Sequence, residues 1–174
     1  MHLRILGIDP GTATTGWAVI EERKPPSSKL RQASNNPRLV ACGCVNTSKI
    51  NSNAERLVEI GQDISSLVKK YKPAEAAIED LFFFKNLKTA IAVAQSRGVI
   101  LYKIKKNNIP LFSYTPLQIK QALTGYGRAE KRQIQTMVKN ILKLKSIPKP
   151  DDAADAIAVA ICHLNSRKMN KVRL

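Results

Sequence analysis

The chain has 174 residues, with 29 Lys and Arg against 13 Asp and Glu, giving a formal net charge of +16. This length fits one ordinary domain, which we predict over 1–174, and so large a positive surplus favours a polyanionic partner, above all nucleic acid. The absence of a long apolar run and of a basic amphipathic helix argues against a membrane protein. Three scattered cysteines and two histidines favour neither a disulfide framework nor a zinc site, so we expect a reducing, cytoplasmic setting.

Apolar periodicity along the chain predicts a mixed α/β sheet flanked by helices. A turn at Gly11 and Thr12 indicates a hairpin, so the first three strands should form an antiparallel meander, followed by parallel strands. The predicted strands are 3–9, 16–22, 39–45, 76–79 and 110–114, and the predicted helices are 54–71, 87–106, 116–123, 131–144 and 152–164. Residues 23–38, with three prolines, five basic residues and no apolar periodicity, are predicted to form an exposed basic loop.

Acidic residues are scarce in the second half of the chain. Beyond Asp80 there are only four of them: Glu130, Asp151, Asp152 and Asp155. Asp9 and Glu79 each end a predicted strand, while Asp152 and Asp155 stand three apart on one face of a predicted helix. Carboxylates that converge at a sheet edge repel one another and favour a bound cation. Oxygen donors without His or Cys suit Mg²⁺ or Mn²⁺, and two such ions can activate water and stabilise the leaving oxygen of a phosphodiester.

Each acid taken alone also has a structural interpretation. Asp9 precedes Pro-Gly and fits a turn, Glu79 could end a strand or pair with a lysine, and Asp152 could cap a helix. Asp155, flanked by alanines inside an apolar helix, has no such interpretation. The segment from Gly7 to Thr12 is also similar to the first phosphate loop of actin-like ATPases and sugar kinases, but those proteins need two such domains.

Six short sequence blocks are distributed in order along the chain. They are Gly7-Ile8-Asp9-Pro10-Gly11, Ala77-Ile78-Glu79 with Phe82, Lys85 and Asn86, Gln95-Ser96-Arg97-Gly98-Val99, Gln118-Ile119-Lys120-Gln121, Gly125-Tyr126-Gly127 with Ala129-Glu130-Lys131, and Asp152-Ala153-Ala154-Asp155-Ala156. Together these blocks resemble RuvC, the bacterial Holliday-junction resolvases of the RNase H-like superfamily, over nearly the whole chain. The resemblance implies an RNase H-like fold with a five-stranded mixed sheet.

The resemblance implies four residues that are both catalytic and metal-binding, namely Asp9, Glu79, Asp152 and Asp155, with two Mg²⁺ per active site and Mn²⁺ as a substitute. It favours Asp152 over its neighbour Asp151. It also implies junction contacts by Phe82 and Phe83 at bases and by Lys120 and Lys131 near the scissile phosphate, with Lys85 as a further DNA-binding residue. Arg128, where the family is often small or neutral, is a further candidate DNA contact. The residues 23–38 lengthen a connection beyond the family pattern.

The implied activity is Mg²⁺-dependent resolution of four-way DNA junctions by paired symmetric nicks, performed by a homodimer that works with the branch-migration proteins RuvA and RuvB. Three alternatives stay open at this point. The chain could be an RNase H-like nuclease for RNA–DNA hybrids, a non-catalytic junction binder of the same fold, or a nucleotide-binding actin-like fragment.

Overall fold

The computed structural model describes residues 3–22, 37–81 and 87–172, and within these ranges it forms five strands and five helices. The strands are β1 (Leu3–Asp9), β2 (Thr14–Glu22), β3 (Arg38–Asn46), β4 (Glu75–Glu79) and β5 (Leu111–Tyr114). The helices are α1 (Asn53–Tyr71), α2 (Leu87–Lys106), α3 (Pro116–Thr124), α4 (Lys131–Leu142) and α5 (Asp151–Val172). The predicted order of elements is confirmed.

All five strands belong to one sheet with the order β3-β2-β1-β4-β5. Strands β1, β2 and β3 form the predicted antiparallel meander, while β4 pairs in parallel with β1, and β5 in parallel with β4. The predicted five-stranded mixed sheet is therefore correct. Because β1, β4 and β5 run in the same direction, their carboxyl ends meet at one edge of the sheet.

Helices cover both faces of the sheet, and each face has its own apolar core. One core contains residues of α3, α4 and α5, and the other contains residues of α1 and α2. Successive strand residues point to opposite faces, so Ile5 lies in the first core and Leu6 and Ile8 in the second. The same alternation places Asp9, in line with Ile5, on the face that α5 covers.

Two predicted helix ends differ from the observed ones by more than one residue. Helix α4 stops at Leu142 rather than 144 because Lys143 adopts a left-handed backbone conformation, with φ of 53°. Helix α5 continues to Val172, beyond the predicted 164. Its apolar periodicity fades after Leu164, but Arg167 still binds Glu75 of β4 at 2.8 Å, which ties this part of the helix to the sheet.

The three cysteines are free thiols, and only Cys162 among them is fully buried. Cys42 and Cys44 are half-buried because they lie on β3, which forms an edge of the sheet. The predicted basic loop at 23–38 falls, except for its last two residues, outside the described part of the chain. No described helix combines the length and apolar character needed to cross a bilayer.

Candidate active site

Two carboxylates end neighbouring parallel strands. The register pairs Ile8 of β1 with Ile78 of β4, and the next residue on each strand is Asp9 or Glu79, the last of its element. Strand alternation turns both side chains towards the face covered by α5. Two predicted site residues therefore lie side by side at the carboxyl edge of the sheet.

The Asp9 and Glu79 carboxylates lie close enough to affect the pKa of each other directly. Burial, followed by repulsion from Glu79, Asp155 and Asp152, raises the pKa of Asp9 to about 8. Burial also raises the pKa of Glu79, although the Lys120 ammonium acts in the opposite direction. Close, buried carboxylates of this kind favour a bound cation that offsets their mutual repulsion.

Helix α5 brings the other two predicted carboxylates to the same edge. Its first turns pack tightly on β1 and β2 at two glycines. A Cβ atom added to Gly16 would lie 2.0 Å from the carbonyl oxygen of Asp152, and one added to Gly7 would lie 2.3 Å from that of Ala156. Gly16 pairs directly with Asp9 across the hairpin. The absence of side chains at these glycines thus sets how closely Asp152 and Asp155 approach Asp9.

Two lysines face the carboxylates. Lys131, at the start of α4, lies 3.0 Å from Asp155 and 3.6 Å from Asp151, and its bond to Asp155 raises the pKa of its ammonium group. Burial raises the pKa of Asp155, and Lys131 opposes that rise. Lys120 and Lys131, together with Glu79 and Asp155, line one cavity of about 270 Å³. The cavity therefore combines two acids with two cations.

Asp151 and Asp152 have different surroundings. Asp151 is half exposed and pairs with Lys149 at 3.4 Å as well as with Lys131. Asp152, and not Asp151, is among the groups that raise the pKa of Asp9. Asp152 does not line the cavity that contains the two lysines. It faces a second cavity, beside Thr12 and Asn53.

The carboxylates do not close around one point. Within the described ranges, no three His, Cys, Asp or Glu side chains are near enough to one another to hold a metal ion as they lie. Among the predicted DNA contacts, Arg128 is exposed in the loop between α3 and α4. Three further predicted DNA contacts, Phe82, Phe83 and Lys85, lie outside the described residues.

One residue that sequence reasoning did not assign is Arg97 of α2. Its guanidinium group pairs with Asp80 at 3.0 Å and donates to the Ser113 hydroxyl at 2.8 Å and to the Glu79 carbonyl oxygen at 3.4 Å. Arg97 therefore joins α2 and β5 to the chain at the end of β4, where Glu79 lies. The signal available in the sequence was an arginine within one of the resemblance blocks, but its partners are distant along the chain.

Comparison with known proteins agrees with this geometry. Residues 5–163 match the family model described as crossover junction endodeoxyribonuclease RuvC. A protein of that name from Fusobacterium nucleatum is 54% identical over 164 residues, covering 94% of this chain and 81% of the relative. Another, from Roseiflexus sp. strain RS-1, is 51% identical over 166 residues, covering 95% of this chain and 93% of the relative.

Solved structures give the same result. Thermus thermophilus RuvC superimposes with a TM-score of 0.86 at 30% identity, covering 97% of each chain. T. thermophilus RuvC in complex with Holliday junction substrate also gives 0.86, at 31% identity and the same coverage. The yeast mitochondrial Holliday junction resolvase Ydc2 shares the fold, with a TM-score of 0.68 at 14% identity over 98% of this chain and 81% of Ydc2. On the family match and on these identities over nearly the full length, the chain belongs to the RuvC family.

Proposed function

We propose that this chain is a metal-dependent endonuclease that resolves four-way DNA junctions by paired symmetric nicks in recombination and repair. The observation that carries the proposal is the group of carboxylates at one sheet edge, facing Lys120 and Lys131, in a chain with a net charge of +16. A basic protein attracts DNA, whereas a cluster of acids repels it. Acids that lie together on a DNA-binding protein therefore indicate a chemical function, such as binding a metal ion. The RuvC relatives named above support the substrate.

The donor set fits divalent metal ions. Asp9, Glu79, Asp152 and Asp155 offer only oxygen donors, and the repulsion by the other three that raises the pKa of Asp9 indicates that a bound cation would be favoured. When bound, two Mg²⁺ ions, or Mn²⁺ in their place, would supply an activated water and charge neutralisation at the phosphodiester. Lys120 and Lys131 would hold the scissile phosphate against the carboxylates and offset the charge that develops on it.

We further propose that two copies act together, so that two equivalent sites face the two opposed strands of a four-way junction. Twofold symmetry of the enzyme would then match that of the substrate. Phe82 and Phe83 would contact bases near the crossover, and Lys85 and Arg128 would add contacts to the DNA. RuvA and RuvB are the expected partners in branch migration, and the cytoplasm is the expected compartment.

The test is a nicking assay on a synthetic mobile four-way junction with and without Mg²⁺. We expect the wild-type protein to cut two opposed strands symmetrically, only with the metal. Asp9→Asn, Glu79→Gln, Asp152→Asn and Asp155→Asn should each remove cutting without weakening junction binding. Mg²⁺-dependent cutting that survives in any of these variants would contradict the role of that residue.

Asp151→Asn is the matched control, because it removes the same charge one residue from Asp152. It should cut at nearly the wild-type rate, whereas loss of cutting in Asp151→Asn but not Asp152→Asn would reverse the assignment. An RNA–DNA hybrid duplex tests the hybrid-nuclease alternative, and we expect it to remain intact. A non-catalytic binder would leave the junction uncut under all these conditions.

A further inference from the structure

A second cavity borders the candidate active site on the side of Asp152. It has a volume of about 680 Å³ and lies between the β1–β2 turn and the first turns of α1 and α2. Its lining shares no residue with the cavity that contains Lys120 and Lys131. The two cavities therefore reach the carboxylate group from different directions.

Among the described residues, seven of the eleven that line the second cavity carry polar side chains. Arg56 of α1 is the cation of this lining and Asp152 is its acid, while threonine and asparagine supply the other five polar side chains. The Arg56 Nε atom donates to the Ser48 carbonyl oxygen at 2.9 Å, which fixes the direction of the guanidinium group. An arginine oriented in this way can present its terminal nitrogens as a fork to a phosphate.

Hydrogen bonds join the separate walls. Asn53 of α1 donates to Gln95 of α2 at 2.7 Å, and Ser96 of α2 bonds to Thr12 of the turn at 3.3 Å. The Thr47 hydroxyl donates to the Thr12 carbonyl oxygen at 2.7 Å. The cavity is consequently a cross-linked polar groove rather than a gap between independent loops.

We propose that this groove binds the phosphodiester backbone of the DNA strand that is cut, on the side of the scissile phosphate opposite to Lys120 and Lys131. The inference rests on the proposed function. A strand that is cut in its interior must leave the site in two directions. Lys120 and Lys131 line only the first cavity, so they serve one of these directions. Arginine and uncharged hydroxyl or amide groups are the side chains that commonly contact DNA phosphates and sugars.

Arg56→Ala gives the first test, by equilibrium binding to a synthetic four-way junction in EDTA, where no cutting is expected. We expect affinity to fall about tenfold, the loss of one charge-assisted contact. The plot of log affinity against log salt should become less steep by about 0.9 for one phosphate contact. Lys69→Ala is the control, since it removes one exposed charge from the same helix, 13 residues further on, and it should change the slope little.

A second variant pair does not disturb Arg56 or its bond to Ser48. Thr89 lines the groove from α2 and is exposed. Thr89→Glu places a negative charge in the groove and should weaken binding of the junction. Thr89→Gln, whose side chain is similar in size to glutamate but uncharged, should not weaken binding. Equal affinities for these two variants would overturn the proposal, even if Arg56→Ala proved too unstable to measure.

Uncharged methylphosphonate linkages, placed singly along the cut strand, locate the contact. In the wild-type protein, a methylphosphonate at the phosphate that Arg56 contacts should reduce junction affinity. In Arg56→Ala, a methylphosphonate at that same position should have no effect, while those at other positions act as they do in the wild type. If Arg56→Ala responds to every position as the wild type does, Arg56 binds no phosphate and the proposal is wrong. Failure of the proposed function would look different, because the wild-type protein would then not cut the junction with Mg²⁺.

Discussion

A methyl group added at Gly16 should move Asp152 of α5 away from Asp9 of β1 in the candidate active site. Gly16 lies opposite Asp9 on β2, and the first turn of α5 packs against it. The Cβ atom of an alanine would sit 2.0 Å from the Asp152 carbonyl oxygen and 2.6 Å from its carbonyl carbon. Ordinary van der Waals contact begins near 3.4 Å, so the backbone of α5 must retreat by about 3.4 − 2.0 = 1.4 Å.

A displacement of this size matters more for catalysis than for folding. A misplacement of about 1 Å in a catalytic group can cost about 100-fold in rate, and Gly16→Ala moves the backbone that carries Asp152. Strain in a packed core costs typically about 1–3 kcal/mol, which a domain of ordinary stability survives. We therefore expect a folded protein with at least about 100-fold slower junction cutting. Single-turnover nicking in saturating Mg²⁺ measures the rate, and urea unfolding measures the stability.

Gly98 provides the matched control for this substitution. It lies on α2, and an added Cβ atom there would meet nothing within 4 Å. Because alanine is the better helix former by about 1 kcal/mol, Gly98→Ala should raise the urea midpoint and leave the cutting rate unchanged. If Gly16→Ala cuts junctions as fast as Gly98→Ala while both remain folded, the close packing of α5 on Gly16 does not control the cutting rate.

Two further predictions follow from hydrogen bonds near the sheet. Arg97→Lys keeps the charge next to Asp80, but a lysine cannot make all three contacts of the guanidinium group. The variant should therefore have a lower kcat and an unchanged junction affinity. A loss of affinity without a loss of kcat would contradict a positioning role for Arg97. Burial lowers the pKa of His163 below its ordinary value of 6.5, although Glu75 acts in the opposite direction. The neutral His163 ring therefore contributes stability above pH 6.5, and this contribution is lost as the pH falls from 6.5 through the lowered pKa. His163→Gln should therefore cost more stability at pH 7.5 than at pH 5.5 in urea unfolding, and a cost independent of pH would show that the neutral ring is not favoured.

The mixed sheet, its antiparallel meander and the strand ends, to within two residues, could be predicted because they depend on local signals. Residues 3–9 form a short apolar run that ends at Asp-Pro-Gly, and the observed strand has the same limits. Helix ends were less accurate where their cause is not local. The end of α5 depends on bonds from Arg167 to Glu75, 92 residues away, and no periodicity in the sequence reports such a contact.

The candidate site could also be predicted only in part from the sequence. The four carboxylates could be selected because Asp9 and Glu79 end predicted strands, because acids are rare in the second half of the chain, and because the sequence resembles RuvC. The role of Arg97, the closeness of Gly16 to α5 and the second cavity could not be predicted, since each depends on the packing of helices against strands distant in sequence. Asp152 and Asp155, though only three residues apart, face different cavities, which helical spacing alone does not reveal.

The charge distribution leads to one more prediction. The chain as a whole attracts phosphate, with a net charge of +16, but Asp155 repels phosphate locally and also occupies Lys131 at 3.0 Å. Asp155→Asn removes the repulsion and makes that ammonium group available to DNA. In EDTA, Asp155→Asn should therefore bind the four-way junction more tightly than the wild type, with a salt dependence steeper by about 0.9 for one added phosphate contact.

Asp63→Asn separates this local effect from the change in net charge. Asp63 is exposed on α1, so its replacement changes the total charge equally without affecting Lys131. At about 0.1 M salt an exposed charge acts over only about 10 Å, and Asp63→Asn should leave junction affinity close to that of the wild type. If the two variants gain affinity equally, net charge alone is responsible, and the pairing of Asp155 with Lys131 does not control access of phosphate to the site.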